Sequence, residues 1–95
     1  MFIPANRYNY EQQKPGLFDD IGQRRVIAVR DHVLSTLHIS GAITMARAMD
    51  GAGTGDTYAQ MAAVDRLVEL GDIEEVALAK VPMGQHRIFR LPYTG

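Results

Sequence analysis

Three histidines, two serines and a run of alternating glycines are the residues whose chemistry could go beyond packing. His32 and His38 are six positions apart on what reads as one helix, so they point to different faces, and His86 lies far along the chain. A zinc site needs such ligands to converge, and nothing in the spacing brings them together. The absence of cysteine removes thiolate ligands, a thiol nucleophile and any disulfide framework. Ser35 and Ser40 fall in or at the end of a helix, without the Gly-x-Ser-x-Gly elbow that sharpens a serine nucleophile. The run Asp50-Gly51-Ala52-Gly53-Thr54-Gly55-Asp56 offers bare backbone N–H groups that can line a phosphate. That chemistry needs a strand before the loop and a βαβ unit around it. Here the preceding segment reads as helix and 95 residues leave no room for the sheet, so the run is expected to be a turn. No catalytic residue, metal site or cofactor is expected, and the chain reads as a binding protein, not an enzyme.

Composition agrees with that class. A chain of 95 residues forms one domain with a single modest core. Hydrophobic content of 46%, charged content of 22% and a net charge of −1 describe an ordinary globule, not a strongly basic nucleic-acid chain. No apolar run approaches the length that spans a bilayer. Pro4, Asn6 and Arg7 interrupt any secretory signal pattern, so a cytoplasmic location without a membrane partner is expected.

The elements that must position the binding residues follow in chain order. Residues 1–20 fit neither helical nor strand periodicity and read as an irregular arm, extended or partly disordered, ahead of a domain spanning residues 21–95. Phe2, Tyr8, Tyr10, Leu17 and Phe18 give this arm the rigid aromatic area that interfaces favour, for a protein partner or a second copy of the chain. A first helix is expected from Asp20, capped there with Gln23 completing a capping box. Its stripe is Val26, Val29, Val33 and Leu37, widened by Ile27 and Leu34, and it ends near His38, broken by Ser40-Gly41. Ile43 then contributes to a brief strand or buried turn, and Thr44 caps a second helix, Met45–Met49. A longer helix capped by Ser40 is the alternative. Met61, Val64, Leu67, Val68 and Gly71 recur at steps of three and four, giving a third helix over 57–70 with Asp56 or Thr57 as cap. Gly71 follows the last periodic residue, where a left-handed residue ends a helix at least cost. Residues 73–78 and 87–91 alternate as strands, with Val76 and Leu78 on one face of the first and Phe89 and Leu91 on one face of the second.

The run Ala63-Val64-Asp65-Arg66-Leu67-Val68-Glu69-Leu70-Gly71-Asp72-Ile73-Glu74, followed by His86-Arg87-Ile88-Phe89-Arg90-Leu91, resembles the third helix and wing of winged helix-turn-helix domains. The resemblance covers roughly residues 24 to 92. It implies an α+β, mostly helical fold: three helices plus a two- or three-stranded β wing. It also implies a site, because DNA-reading members place the third helix in the major groove and hold phosphates with the wing and the first helix. Carried over by position, the third helix would offer Thr57, Tyr58, Ala62, Asp65, Arg66 and Glu69 on its outward face. The wing tip would offer Lys80, Gln85, His86 and Arg87, and Arg24, Arg25, Arg30 and Arg47 would add phosphate contacts.

Charge supports and opposes this in turn. Residues 24–47 carry four arginines against one acid, and residues 76–95 carry Lys80, Arg87 and Arg90 with none. Between them, residues 50–75 hold seven acids against Arg66 alone. A groove-reading helix presents Arg, Lys, Asn or Gln to bases and phosphates, whereas this one presents Asp65 and Glu69. Two readings follow. One is a small DNA-binding regulator, a homodimer paired through the arm. The other is a winged-helix protein-interaction module, such as an adaptor or a phage-type inhibitor of a host enzyme. A continuous basic surface from first helix to wing favours DNA; an acidic third-helix face beside an apolar patch favours a protein.

Overall fold

The computed structural model describes residues 8–52, 57–76 and 87–92. Its longest element, α2 (Asp20–Ser40), is the expected first helix, and its ends are set by local chemistry. Asp19 has extended backbone and its carboxylate accepts the Gly22 N–H at 2.7 Å, so the cap falls one residue before the expected Asp20, which is already helical. Gln23 makes no capping box; its side-chain amide donates to the Phe18 carbonyl at 2.8 Å. The helix stops at Gly41, whose φ of 78° lets its N–H return to the Leu37 carbonyl.

Val29, Val33 and Leu37 are buried, with Val26 and Leu34 packed at the margin. Ile27, expected to widen this stripe, is 58% exposed. Successive residues on a helix are about 100° apart, which turns Ile27 well away from the Val29–Val33 line.

The arm, expected to be irregular, is helical from Tyr10. Helix α1 (Tyr10–Gln13) is capped by the Asn9 side chain, and a 3-10 turn over Lys14–Leu17 follows, with Pro15 early in it where its missing N–H is not needed. Leu17 enters the core at 3% exposure.

Strand β1 (Ile43–Thr44) leads directly into α3 (Met45–Met49), and Thr44 serves both, pairing in the sheet and accepting the Arg47 N–H at 3.3 Å. The Ser40-capped alternative is therefore not taken. A 3-10 turn over Asp50–Ala52 begins the glycine run; the rest of that run, including Asp56, lies outside the described residues.

Helix α4 (Thr57–Leu70) has the span read from its period. Gly71, at φ 82°, donates to Val68, and Asp72 donates to Leu67, each at 3.0 Å; this crossed pair satisfies the last carbonyls and reverses the chain. Strands β2 (Glu74–Glu75) and β3 (Ile88–Arg90) complete a three-stranded antiparallel sheet in the order β1-β3-β2. Phe89 faces Ile43 on one side and Glu75 on the other. The Val76 N–H bonds the Ile88 carbonyl at 2.8 Å, so the two last runs are neighbours as expected. Leu91, past the end of β3, is 37% exposed and does not share the full burial of Phe89; Leu78 lies outside the described residues.

The result is an α+β fold, mostly helical, with a small antiparallel sheet. One core joins α2, α3, α4, Ile73 and the sheet. No described helix is long and apolar enough to cross a membrane.

Candidate functional site

Helical spacing gathers Tyr58, Ala62, Asp65 and Glu69 on one side of α4, with Arg66 at its edge. The arm lies along this side. The Tyr8 hydroxyl donates to Asp65 Oδ2 at 2.6 Å, and the Tyr8 ring tilts against Tyr58 with centroids 5.9 Å apart. Further along, the Tyr10 hydroxyl donates to Glu69 Oε1 at 3.0 Å and Lys14 Nζ donates to Glu69 Oε2 at 2.8 Å. Arg66 also pairs with Glu69, and its guanidinium sits 5.2 Å from the Phe18 ring centroid. Ala62, expected to face outward, is fully buried. It belongs to the core cluster, against which Tyr8, Tyr10 and Tyr58 also pack.

Arg87 ties the same helix to the sheet. It bonds both oxygens of Asp65, at 2.7 and 3.3 Å, and both oxygens of Glu75, at 2.7 and 2.9 Å. Its guanidinium also stacks 5.3 Å from the Phe89 ring. Two bidentate carboxylate contacts use the planar fork that lysine lacks. The Arg87 side chain is only 19% exposed and Asp65 11%. Arg87 was expected at the wing tip on DNA; it stands instead at the base of the sheet, engaged by two acids of its own chain.

The electrostatics follow from these contacts. Burial, then the bond to Asp65, pushes the Tyr8 hydroxyl well above its ordinary pKa. Tyr10 is pushed up to about 12 by burial and by its bond to Glu69. Lys14 first, then Arg66, hold the Glu69 carboxyl down at about 2. Burial opposes the Arg87 charge, but the bonds from Glu75 and Asp65 outweigh it and raise its pKa. A shallow cleft of about 520 Å³ opens beside this network, lined by Tyr8, Tyr10, Asp65, Glu69, Glu75 and Arg87. Among the described residues no group of three His, Asp or Glu is placed to hold a metal.

Comparison with protein-family models, curated proteins and solved structures returned no match.

The other expected binding residues scatter. Arg30 pairs with Asp72 at 3.3 Å. Among the described residues Arg24, Arg25 and Arg47 make no ion pair. Thr57 and Tyr58 are half-buried, and Leu17 is a core residue. Phe2, Lys80, Gln85 and His86 lie outside the described residues. His32 is used structurally, its Nε2 meeting the Arg47 carbonyl at 2.9 Å and so joining α2 to α3.

Next to the arm, Phe18, Ile27 and Leu70 are 50%, 58% and 53% exposed. They border a groove of about 310 Å³ floored by Leu17 and Val26, with Arg66 and Gln23 at its rim. Sequence reasoning missed Lys14, and it read Asp65 and Glu69 as a deficit for DNA and a sign of a protein partner, not as the seat of the arm. The one available signal was an acid-rich helix opposite an arm carrying tyrosines and a lysine.

Three predictions arise here. Arg87→Ala should cost about 2 kcal/mol in a denaturant titration, between the value of an exposed ion pair and that of a broken buried one. Arg90→Ala, which removes an ion pair whose arginine is 54% exposed, should change stability by less than about 1 kcal/mol. The third concerns acid. A folded pKa below the ordinary 4.5 means Glu69 stabilises the arm contact above about pH 4.5 and loses that contribution as pH falls toward 2. The Tyr10 ring resonances should therefore move toward solvent-exposed values across that window. In Glu69→Gln, the acid-dependent part of that movement should be absent.

Proposed function

We propose that this chain is a winged-helix module whose partner is a protein. The order of α2, β1, α3, α4 and the two following strands supports the winged-helix reading. One observation carries the choice of partner: the outer face of α4 is acidic, is closed by the chain's own arm, and adjoins an exposed apolar patch. A helix with Asp65 and Glu69 outward would meet phosphates with like charge, and with the arm down it has no free face to enter a groove. Exposed Phe18, Ile27 and Leu70 beside a shallow groove are the kind of patch that protein interfaces cover. An adaptor or an inhibitor of another enzyme needs no chemistry beyond this.

Affinity capture with the wild-type chain and with Ile27→Asp/Leu70→Asp tests the reading. A partner recovered by the first and lost by the second, at unchanged melting temperature, is the expected result. Equal recovery by both removes the patch from the interface.

The DNA reading retains one observation in its favour: Arg24, Arg25 and Arg47 make no ion pair among the described residues. Titration of labelled duplex DNA decides it. Contacts of that kind should give weak, sequence-independent binding at low salt that disappears near 0.15 M salt, roughly the physiological range. Tight binding at physiological salt, lost when those three arginines become alanine, would overturn the protein-partner reading.

A further inference from the structure

We propose that the α4 face beneath the arm is a docking surface for a tyrosine- and lysine-bearing segment of a partner protein, and that residues 8–14 occupy it as an internal stand-in. The inference rests on the protein-partner reading above and adds the chemistry of the partner.

Three features point this way. First, the deepest anchor of the arm is at its far end. Leu17 is buried, and the 3-10 turn that carries it packs directly on Gly22. Helix α1, by contrast, contains no buried residue; Tyr8 before it is half-buried, and the bonds to Glu69 from Tyr10 and from Lys14, which opens the 3-10 turn, are exposed. Exposed ion pairs and hydrogen bonds contribute little, so residues 8–14 can lift about Pro15-Gly16 while Leu17 stays seated.

Second, the surface beneath is built without the arm. Arg87 holds Asp65 from the sheet side, and Arg66 holds Glu69 from the next turn of the helix. Both carboxylates would keep their positions when the arm leaves, while Glu69 Oε2 would lose its lysine and Asp65 Oδ2 its hydroxyl. The Tyr58 ring and Ala62 would complete the floor. Pre-positioned acceptors reduce the ordering cost of binding.

Third, the arm itself displays the ligand chemistry that fits. It offers a hydroxyl-bearing ring on Tyr58 and Asp65, a second hydroxyl on Glu69, and a cation four residues further on. Two outward carboxylates on a helix surface select a partner segment of the opposite charge. An internal stand-in also keeps the Tyr8-facing side of the Tyr58 ring from open water until such a segment arrives.

The test is a titration of isotope-labelled full-length chain with a capped synthetic peptide of the sequence of residues 8–14, followed by NMR. Two proteins are compared, the wild type and Tyr8→Ala/Tyr10→Ala. The expected result is saturable shifts at Tyr58, Asp65 and Glu69, with an apparent Kd about tenfold or more lower for the double variant, because apparent affinity scales with the uncovered fraction of the face. Adding Glu69→Gln, or replacing both peptide tyrosines with phenylalanine, should weaken binding again. If the double variant is unfolded, Tyr10→Phe/Lys14→Ala, which alters exposed contacts only, takes its place. No shifts at this face, an equal response from both proteins, or undiminished binding of the phenylalanine peptide would overturn the proposal. Self-association of the wild type that is abolished in the double variant would also overturn it, because the occupant would then be the arm of a second copy. Failure here leaves the patch-dependent capture untouched, whereas DNA binding at physiological salt removes the earlier reading whatever the peptide does.

Discussion

Phe89→Ala should lower the free energy of unfolding by about 3–5 kcal/mol, the largest effect of any single truncation in this fold. Phe89 is fully buried on the middle strand, with Ile43 on one neighbour and Glu75 on the other. Removing the ring deletes its transfer free energy and leaves a void that three short strands cannot all close in on without breaking register. The Arg87 guanidinium would also lose the aromatic face beneath it, so its two carboxylate partners would be less well held. A shift in urea midpoint at constant slope is the measurement, and Phe89→Leu should restore most of the loss by keeping most of the volume. An unchanged midpoint for Phe89→Ala would mean that the sheet contributes nothing to the core.

Gly22→Ala should be destabilising by about 3 kcal/mol, the upper end for an overpacked site. Helix propensity alone argues for the opposite sign, a gain of at most about 1 kcal/mol for replacing a glycine in the first turn. Packing decides: a Cβ at Gly22 would lie 2.6 Å from the Leu17 Cα and closer still to the Gly16 carbonyl oxygen. These are backbone atoms, so the 3-10 turn must move bodily and Leu17 must leave the core. Gly16→Ala, where a Cβ meets nothing within 4 Å, serves as the control and should be nearly neutral. A stabilised Gly22→Ala would show that the turn is not seated on α2.

What was legible in the sequence is what depends on neighbours a few residues away. Thr44 as cap of Met45–Met49, the span of α4 and the reversal at Gly71 follow from a hydroxyl three residues before a free N–H, a repeating period and one left-handed residue. Asp19 and Asp20 have the same capping chemistry, so the choice between them was invisible until the backbone angles were known. What stayed hidden is contact across long separations. The arm shows no period because its order comes from α4, and Tyr8 and Tyr10 meet acids 57 and 59 positions ahead. Ala62 could not be read as buried from the helical period, which sets it beside Tyr58 and Asp65. Arg87 could not be read as a clamp without Asp65 and Glu75 arriving from two other elements.

Those separations bear on synthesis. Tyr8 and Tyr10 are synthesised ahead of the helix that receives them, which is completed about sixty residues later. At roughly 5–20 residues per second, that leaves the nascent aromatic segment without its seat for about 3–12 seconds. A chaperone, or another chain translated nearby, can reach these tyrosines only during that interval or after the seat has been vacated.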